Sequence, residues 1–288
     1  MTDTLLEKIK KWTLMNQLPL PQRPLKPRHY GLTSVHDIGI SIGELRHILN
    51  DYHDFIDVAK LGIGTAYITP RLQEKIALYQ EFGVEVHFGG TLFEKFYYHA
   101  SVEHYQNYMQ TMGIKWCEVS TGTLNIPLKE RIAIVEKLSR NFIVLAEVGA
   151  KNDLHTMPVS VWLKEIKALL NAGCQYIVTE GRSTGTAGIY HANGDIRSDL
   201  IMDILNEVSP QKIIFEAPNP KMQAFFTNLV GANANLGNIS PRDLLFVEAQ
   251  RNGLWSETFY MTDADIKPVK AKPFITDDAR QPVNYASA

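Results

Sequence analysis

From Tyr30 to Tyr260 the sequence repeats one local pattern: a short β-branched run that ends in a polar residue, then a helical stretch opened by Pro or Ser and closed by Gly. "TPRLQEKIALYQEFG" leads into "VEVHFGG", "SVEHYQNYMQTMG" into "IKWCEVS", "PLKERIAIVEKLSRN" into "FIVLAEVG", and "PVSVWLKEIKALLNAG" into "CQYIVTEG". "SDLIMDILNEVSPQ" leads into "KIIFEAP", and "PKMQAFFTNLVG" into "ANANLGN". Ahead of these stand "YGLTSVHDIG", "SIGELRHILNDY" and "DFIDVAKLGIG", and "SPRDLLFVEAQRNG" closes the series. In the first clear unit Pro70 suits the first helical turn, Leu72, Ile76 and Tyr79 share one face, and Gly83 suits the C-cap. Strands that alternate with helices run parallel, because each crossover returns the chain to the same edge of the sheet. Eight such units over about 230 residues predict an α/β fold, a closed (β/α)8 TIM barrel, in preference to an open doubly wound sheet. The barrel is expected over 28–261. An N-terminal helix with a Pro-rich arm is expected over 1–27 and an irregular C-terminal tail over 262–288.

In a barrel the C-terminal ends of all strands converge on one face, so residues far apart in sequence become neighbours. Those ends carry Asp37, then Asp57 and Lys60, then Gly89, Gly90, Thr91 and Glu94, then Glu118 and Ser120. Next come Glu147 and Lys151, Glu180 and Arg182, Glu216, and finally Asn235, Gly237 and Asn238. A rim charge or an ion-pair partner explains any one of these carboxylates, but so many in one cleft repel unless cations share it. Lys60, Lys151 and Arg182 supply part of that charge. A divalent metal is the natural remainder, and all-oxygen ligands without nearby Cys favour Mg2+, with Asp37, Glu118, Glu147 and Glu180 as the candidate ligands. Salt bridges alone are the competing explanation.

Two features point to an anionic substrate. "NLGNISPRD" sets Gly237 and Asn238 before a helix start marked by Ser240 and Pro241, where free N–H groups favour an anion, although capping alone explains the pattern equally well. "EGRSTGTAGIYHANGD" is a Gly-rich loop whose Arg182 can fork onto a carboxylate, sulfite or phosphate, or else pin a surface loop through a neighbouring Glu. His87 reads as a strand histidine, and His36, next to Asp37, is expected on the side of its strand away from the cleft.

Composition narrows the partners. A formal charge of −2, with 21% charged and 45% hydrophobic residues, gives no footprint for nucleic acid or an anionic membrane surface. Cys117 and Cys174 each lie in an apolar segment, as core residues of a cytoplasmic protein do, and no signal-peptide core or membrane-length apolar run occurs. No G-x-S-x-G elbow, P-loop or dinucleotide fingerprint is present, which disfavours serine hydrolases, nucleotide triphosphatases and Rossmann dehydrogenases. A homo-oligomer is expected, though its state is not set by the sequence.

The motifs "KPRHYGLTSVHDIG", "DFIDVAKLGIGTA", "HFGGTLFEKF", "CEVSTGT", "LAEVGAK", "EGRSTGTAGIY", "IIFEAPNP" and "NLGNISPRDLLFVEAQRNGL" together resemble the phosphosulfolactate synthase family over residues 26–259. The resemblance implies a (β/α)8 barrel that adds sulfite to phosphoenolpyruvate with Mg2+, giving (2R)-phospho-3-sulfolactate. It further implies an enediolate-like transition state and lysine protonation of the methylene carbon. Lys151 matches the family lysine expected to give the proton; Lys60 and Arg182 would hold anionic groups, with Gly90, Thr91, Ser120, Asn235, Gly237 and Asn238 around the substrate. Four positions depart from the family pattern: Thr121 for an acid, Ala150 for a lysine, Ser183 for a glutamate and Trp255 for an arginine. These keep three alternatives open: the same enolate chemistry on another substrate, a Schiff-base aldolase using Lys60 or Lys151, and a non-catalytic role like that of a plant heat-stress protein resembling this family.

Overall fold

Each β-branched run forms one strand of a single sheet. A computed structural model describes residues 18, 20–149, 157–182 and 184–260. Its strands are β1 (Thr33–Asp37), β2 (Val58–Leu61), β3 (Glu85–Phe88) and β4 (Trp116–Val119), followed by β5 (Ile143–Val148), β6 (Tyr176–Thr179), β7 (Ile213–Glu216) and β8 (Leu236–Ile239). Every laddered pair is parallel, in the order β3-β2-β1-β8-β7-β6-β5-β4. β3 and β4, at the two ends of that order, lie side by side and bring the sheet round into a nearly closed (β/α)8 TIM barrel.

The intervening helices are α1 (Ile42–Tyr52), α2 (Leu72–Glu81), α3 (Gly90–His99), α4 (Val102–Thr111) and α5 (Leu128–Leu138), then α6 (Val159–Asn171), α7 (Ser198–Glu207), α8 (Pro220–Val230) and α9 (Leu244–Arg251). Ser41, Ser101 and Asn219 cap α1, α4 and α8 by accepting from the backbone N–H three residues on, as short polar side chains do at N-caps. Two helices rather than one follow β3, because "GGTLFEKF" forms α3 instead of a loop. α2 starts at Leu72, so Pro70 lies just before the helix rather than in its first turn.

Strand periodicity divides the core in two. Val35, Ala59, Val86, Cys117, Val144, Ile177 and Phe215 face outward against the helices. Leu32, Val58, Trp116, Leu145, Tyr176, Val178 and Ile214 form a separate cluster that fills the lower barrel, with the Trp116 and Tyr176 rings stacked 5.7 Å apart. Below it a polar plug ties the N-terminal strand ends together. Asp57 accepts from Arg28 at 2.9 Å and from the Thr33 N–H at 2.8 Å, and the fully buried Arg251 donates to the carbonyls of Ala232 and Ala234. Cys117 and Cys174 are buried free thiols; burial pushes Cys174 up to about 12 and Cys117 higher still.

The barrel belongs to one unit, Arg23–Met261. Apart from residues 18 and 20–27, the expected arm and tail (1–27 and 262–288) lie outside the described residues, as do Ala150, Lys151 and Ser183. Among the described residues no helix is long and apolar enough to cross a membrane.

Candidate active site

Two residues beyond the inner apolar layer, each strand delivers a polar side chain on the same face. Val58 is followed by Lys60, Trp116 by Glu118, Leu145 by Glu147, Val178 by Glu180 and Ile214 by Glu216; a period of two therefore aims all five into the barrel above its apolar floor. All five are at least nine-tenths buried. The ladders set His36 beside Lys60 and Lys60 beside His87, so the histidines join the same layer.

Lys60 Nζ reaches across the lumen to Glu216 Oε1 at 2.7 Å, and Glu216 Oε2 accepts from the Gly181 N–H at 2.9 Å. Glu118 Oε1 accepts from the Gly90 N–H at 2.9 Å, and its Oε2 lies 3.4 Å from His87 Nδ1. Both contacts bridge β3 and β4, where the barrel closes. Ser120 Oγ donates to Glu147 Oε1 at 2.6 Å, and Glu180 Oε1 accepts from the Arg182 N–H at 2.7 Å. Burial works against the Lys60 ammonium, but Glu216 first, then Glu118 and Glu147, outweigh it and hold the lysine above its ordinary value. Burial and the Lys60 charge push both His36 and His87 down to about 3, so both imidazoles are neutral at pH 7. A lysine held cationic in this way lacks the free amine that carbonyl capture requires.

The backbone is unusual at the same rim. Ile63, Arg182 and Asn238 are the non-glycine residues with positive φ among those described, at 49°, 57° and 55°, and they follow or end β2, β6 and β8. Such conformations cost about 1–3 kcal/mol each and cluster where function constrains the chain. Asn238 arises from a register shift between β1 and β8. Leu236 and Ile239, three residues apart, both pack outward, so the bulge leaves Gly237 and Asn238 together on the lumen side.

The structure corrects several expectations. Asp37 does not join the carboxylates: it points outward to α2, where Lys75 Nζ lies 2.7 Å away and Tyr79 donates at 3.0 Å, and its Oδ1 caps the Gly39 and Ile40 N–H groups. His36 takes the lumen side instead. Asn235 precedes β8 at the opposite end of the barrel, with Oδ1 accepting from the Leu32 N–H and Nδ2 donating to the Ile213 carbonyl, so it stands away from the rim. Gly90 stands at the rim, but Glu118 takes its N–H, and a Cβ there would meet Ser120 Cβ at 2.3 Å; the glycine permits close packing of α3 on β4. Thr91 lies in the first turn of α3, and Ser120 is committed to Glu147. The helix after β8 begins at Leu244 with Asp243 at its cap, later than Ser240 and Pro241 implied, and the Asp243 side chain makes no capping hydrogen bond. Trp255 follows the C-terminal end of α9 and packs back on Phe246 in the first turn of that helix, rings 5.0 Å apart. Thr121 stands at the rim, where its Oγ1 closes a turn onto the Leu124 carbonyl at 2.6 Å. One lumen residue lay outside the sequence-derived set, His36, and the outward Val35 next to it carries the parity signal that would have found it; Glu216 stood among the strand-end acids without a role assigned to it.

Among the described residues no three His, Cys, Asp or Glu side chains stand close enough to hold a metal ion by themselves. Glu118, Glu147 and Glu180 nevertheless form an oxygen-only arc over three consecutive strands, and Mg2+ commonly takes only one or two carboxylates and completes its shell with water and substrate. The donor chemistry fits such an ion.

Residues 21–257 match the sequence profile of ComA, (2R)-phospho-3-sulfolactate synthase. The chain belongs to that family. It is 37% identical over 247 residues to phosphosulfolactate synthase of Bacillus subtilis (strain 168), covering 85% of this chain and 98% of the relative. The phosphosulfolactate synthase of Methanothermobacter thermautotrophicus is 33% identical over 244 residues, covering 83% and 95%. Protein HEAT-STRESS-ASSOCIATED 32 of Arabidopsis thaliana is similar at 20% identity over 245 residues, covering 74% and 83%. Among solved structures the Amycolatopsis orientalis BexX/CysO complex superposes with TM-score 0.52 at 16% identity, covering 88% of this chain and 100% of that one, a likeness of fold alone. Family membership makes the chain an enzyme of the lyase type, in a family that makes phosphosulfolactate.

Proposed function

We propose that the chain adds sulfite to phosphoenolpyruvate at the acid-lined rim to give (2R)-phospho-3-sulfolactate. The observation that carries this reading is the family match across residues 21–257, which takes in all eight strands and their loops. The family name itself corrects the proton's destination: a 3-sulfo product has its new C–S bond on the methylene carbon, so that carbon receives sulfur and not hydrogen. The sulfur lone pair of sulfite forms the bond to C3, the C2–C3 π pair moves onto C2 and the carboxylate as an enediolate, and a proton then returns to C2. No bond to phosphate breaks. The R configuration is set by the face from which C2 is protonated.

Lys151, the family-matched lysine, is assigned the proton. Lys60, kept cationic by Glu216, Glu118 and Glu147, contributes positive charge at the lumen where substrate negative charge builds up. Arg182 is assigned the carboxylate or phosphate; its backbone at φ 57°, with the N–H tied to Glu180, supports this reading by fixing the residue at the rim. Glu118, Glu147 and Glu180 would hold Mg2+, which when bound supplies Lewis-acid stabilisation of the substrate carboxylate. Retention of this charged lumen favours catalysis over a purely protective role, because a scaffold has no need of five buried ionisable groups in one layer.

Purified protein with Mg2+ is expected to consume phosphoenolpyruvate only when sulfite is present, followed by loss of its ultraviolet absorbance. Stable phosphoenolpyruvate at high enzyme concentration, or consumption independent of sulfite, would overturn the reading.

A further inference from the structure

Among the described residues the rim is electrically lopsided. Glu118, Glu147, Glu180 and Glu216 occupy the arc over β4–β7, whereas the polar groups at the rim positions of β8, β1, β2 and β3 are Asn238, His36, Lys60 and His87; the Glu85 carboxylate shares the His87 face of β3 but lies lower, paired with Val58 of the apolar floor. On that second arc Lys60 is already bound to Glu216, and His87 Nδ1 is taken up by the Phe88 carbonyl at 3.1 Å and Glu118. His36 differs. Its imidazole lies over Gly62, so close that a Cβ there would sit 1.8 Å from Nε2, and neither ring nitrogen has a hydrogen-bond partner among the described residues. On the adjoining strand Asn238 is 6% exposed, and its Oδ1 has no partner. Two neutral polar groups with unmet hydrogen-bonding capacity thus stand on the adjoining strands β1 and β8, the imidazole of His36 and the amide oxygen of Asn238.

We propose that His36, with Asn238 beside it, forms the subsite for the sulfite oxyanion and so helps to select the nucleophile. This rests on the sulfite-addition reading and adds an orientation to it. Phosphoenolpyruvate carries its charges at the carboxylate and phosphate, both attached to C2, and these are drawn to the arc that bears the cation ligands and Arg182. Its methylene C3 then points away, toward β8 and β1. A dianion approaching C3 is repelled by the carboxylate arc and meets neutral donors on the other side. A neutral imidazole N–H holds a sulfite oxygen without giving it a proton, and rotation of the Asn238 amide, whose Oδ1 has no partner, would turn its N–H groups toward another; the sulfur lone pair is left free to attack. Gly62 is the residue that makes room for this ring.

The test is steady-state kinetics of the full chain with each substrate varied in turn, for wild type, His36→Ala and His36→Gln, with thermal melts confirming that all three fold. A hydrogen bond to a charged group is worth about 1.5–3 kcal/mol, so His36→Ala is expected to raise KM for sulfite about tenfold or more while KM for phosphoenolpyruvate stays within about twofold. Glutamine, which keeps a donor, restores part of the loss. An unchanged sulfite KM, or a rise confined to phosphoenolpyruvate, overturns the assignment. Calorimetric titration with sodium sulfite alone separates this inference from the proposed reaction: a wild type that makes no product yet binds sulfite, with binding lost in His36→Ala, refutes the reaction and keeps the subsite. A wild type with neither product nor sulfite binding refutes both.

Discussion

At the scale of single residues, the most consequential group is Lys60. Its ammonium is the described cation that Glu216, Glu118 and Glu147 share, so Lys60→Met leaves three buried carboxylates without it. Removing one partner of a buried pair costs about 3–5 kcal/mol, and Lys60→Met is expected to lower the unfolding free energy measured by urea denaturation by a comparable amount and to abolish activity. The two lumen histidines give stability a pH dependence with a definite sign. Both are held near 3 in the folded chain, against about 6.5 when unfolded. The unfolded chain therefore binds more protons between these values. Stability is complete above about pH 6.5 and falls on acidification by up to about 1.4 kcal/mol per pH unit for each histidine. Urea unfolding of wild type and His87→Phe at pH 7.5 and pH 5 checks this; the variant should show the smaller difference. The lumen carboxylates were legible in the sequence because each follows an apolar residue by two positions. Asp37 and His36 were assigned to the wrong sides because strand one offers a polar residue at both of its last positions, and only Val35, packed outward, settles which one enters the barrel.

At the scale of elements, the rim depends on close approaches that only glycine allows. At Gly90 an added Cβ would sit 2.6 Å from Glu118 Oε1 as well as against Ser120, so Gly90→Ala must push α3 away from β4. Overpacking of this kind costs about 1–3 kcal/mol. Because the displaced groups are Glu118 and the hydroxyl that orients Glu147, activity is expected to fall far more than helix content, which circular dichroism and turnover measured together would show. Gly62→Ala is the corresponding test on β2. Its new methyl occupies the position of the His36 ring, so it should reproduce the kinetic signature of His36→Ala, with a raised sulfite KM and a nearly unchanged phosphoenolpyruvate KM. Element types were legible from periodicity, whereas two details were not. The bulge in β8 adds a residue that no alternation pattern announces, which is why Asn235 was placed at the rim while it ties strand ends together on the opposite face. α3 was hidden because its first turn is Gly-Thr, which reads as loop until Glu118 of the neighbouring β4 is seen accepting the Gly90 N–H.

At the scale of the whole molecule, the barrel was legible because eight strand–helix units leave few ways to bury an outward apolar face and an inward apolar floor at once. Closure was the part that sequence order alone did not decide, and it is reinforced by side chains: Glu118 links β3 to β4 where the ladder order begins and ends. The same closure gathers Lys60, Glu118, Glu147, Glu180 and Glu216 from five strands into one layer above the apolar floor. The central claim is that this layer directs sulfur to C3 and a proton to C2 of phosphoenolpyruvate. The most direct measurement is nuclear magnetic resonance of the product formed from phosphoenolpyruvate, sulfite and Mg2+ in deuterium oxide. The expected product carries its sulfonate on C3, retains its phosphate and holds a single deuterium at C2 in one configuration. Deuterium on C3, release of free phosphate, or no sulfonated product at all would contradict it.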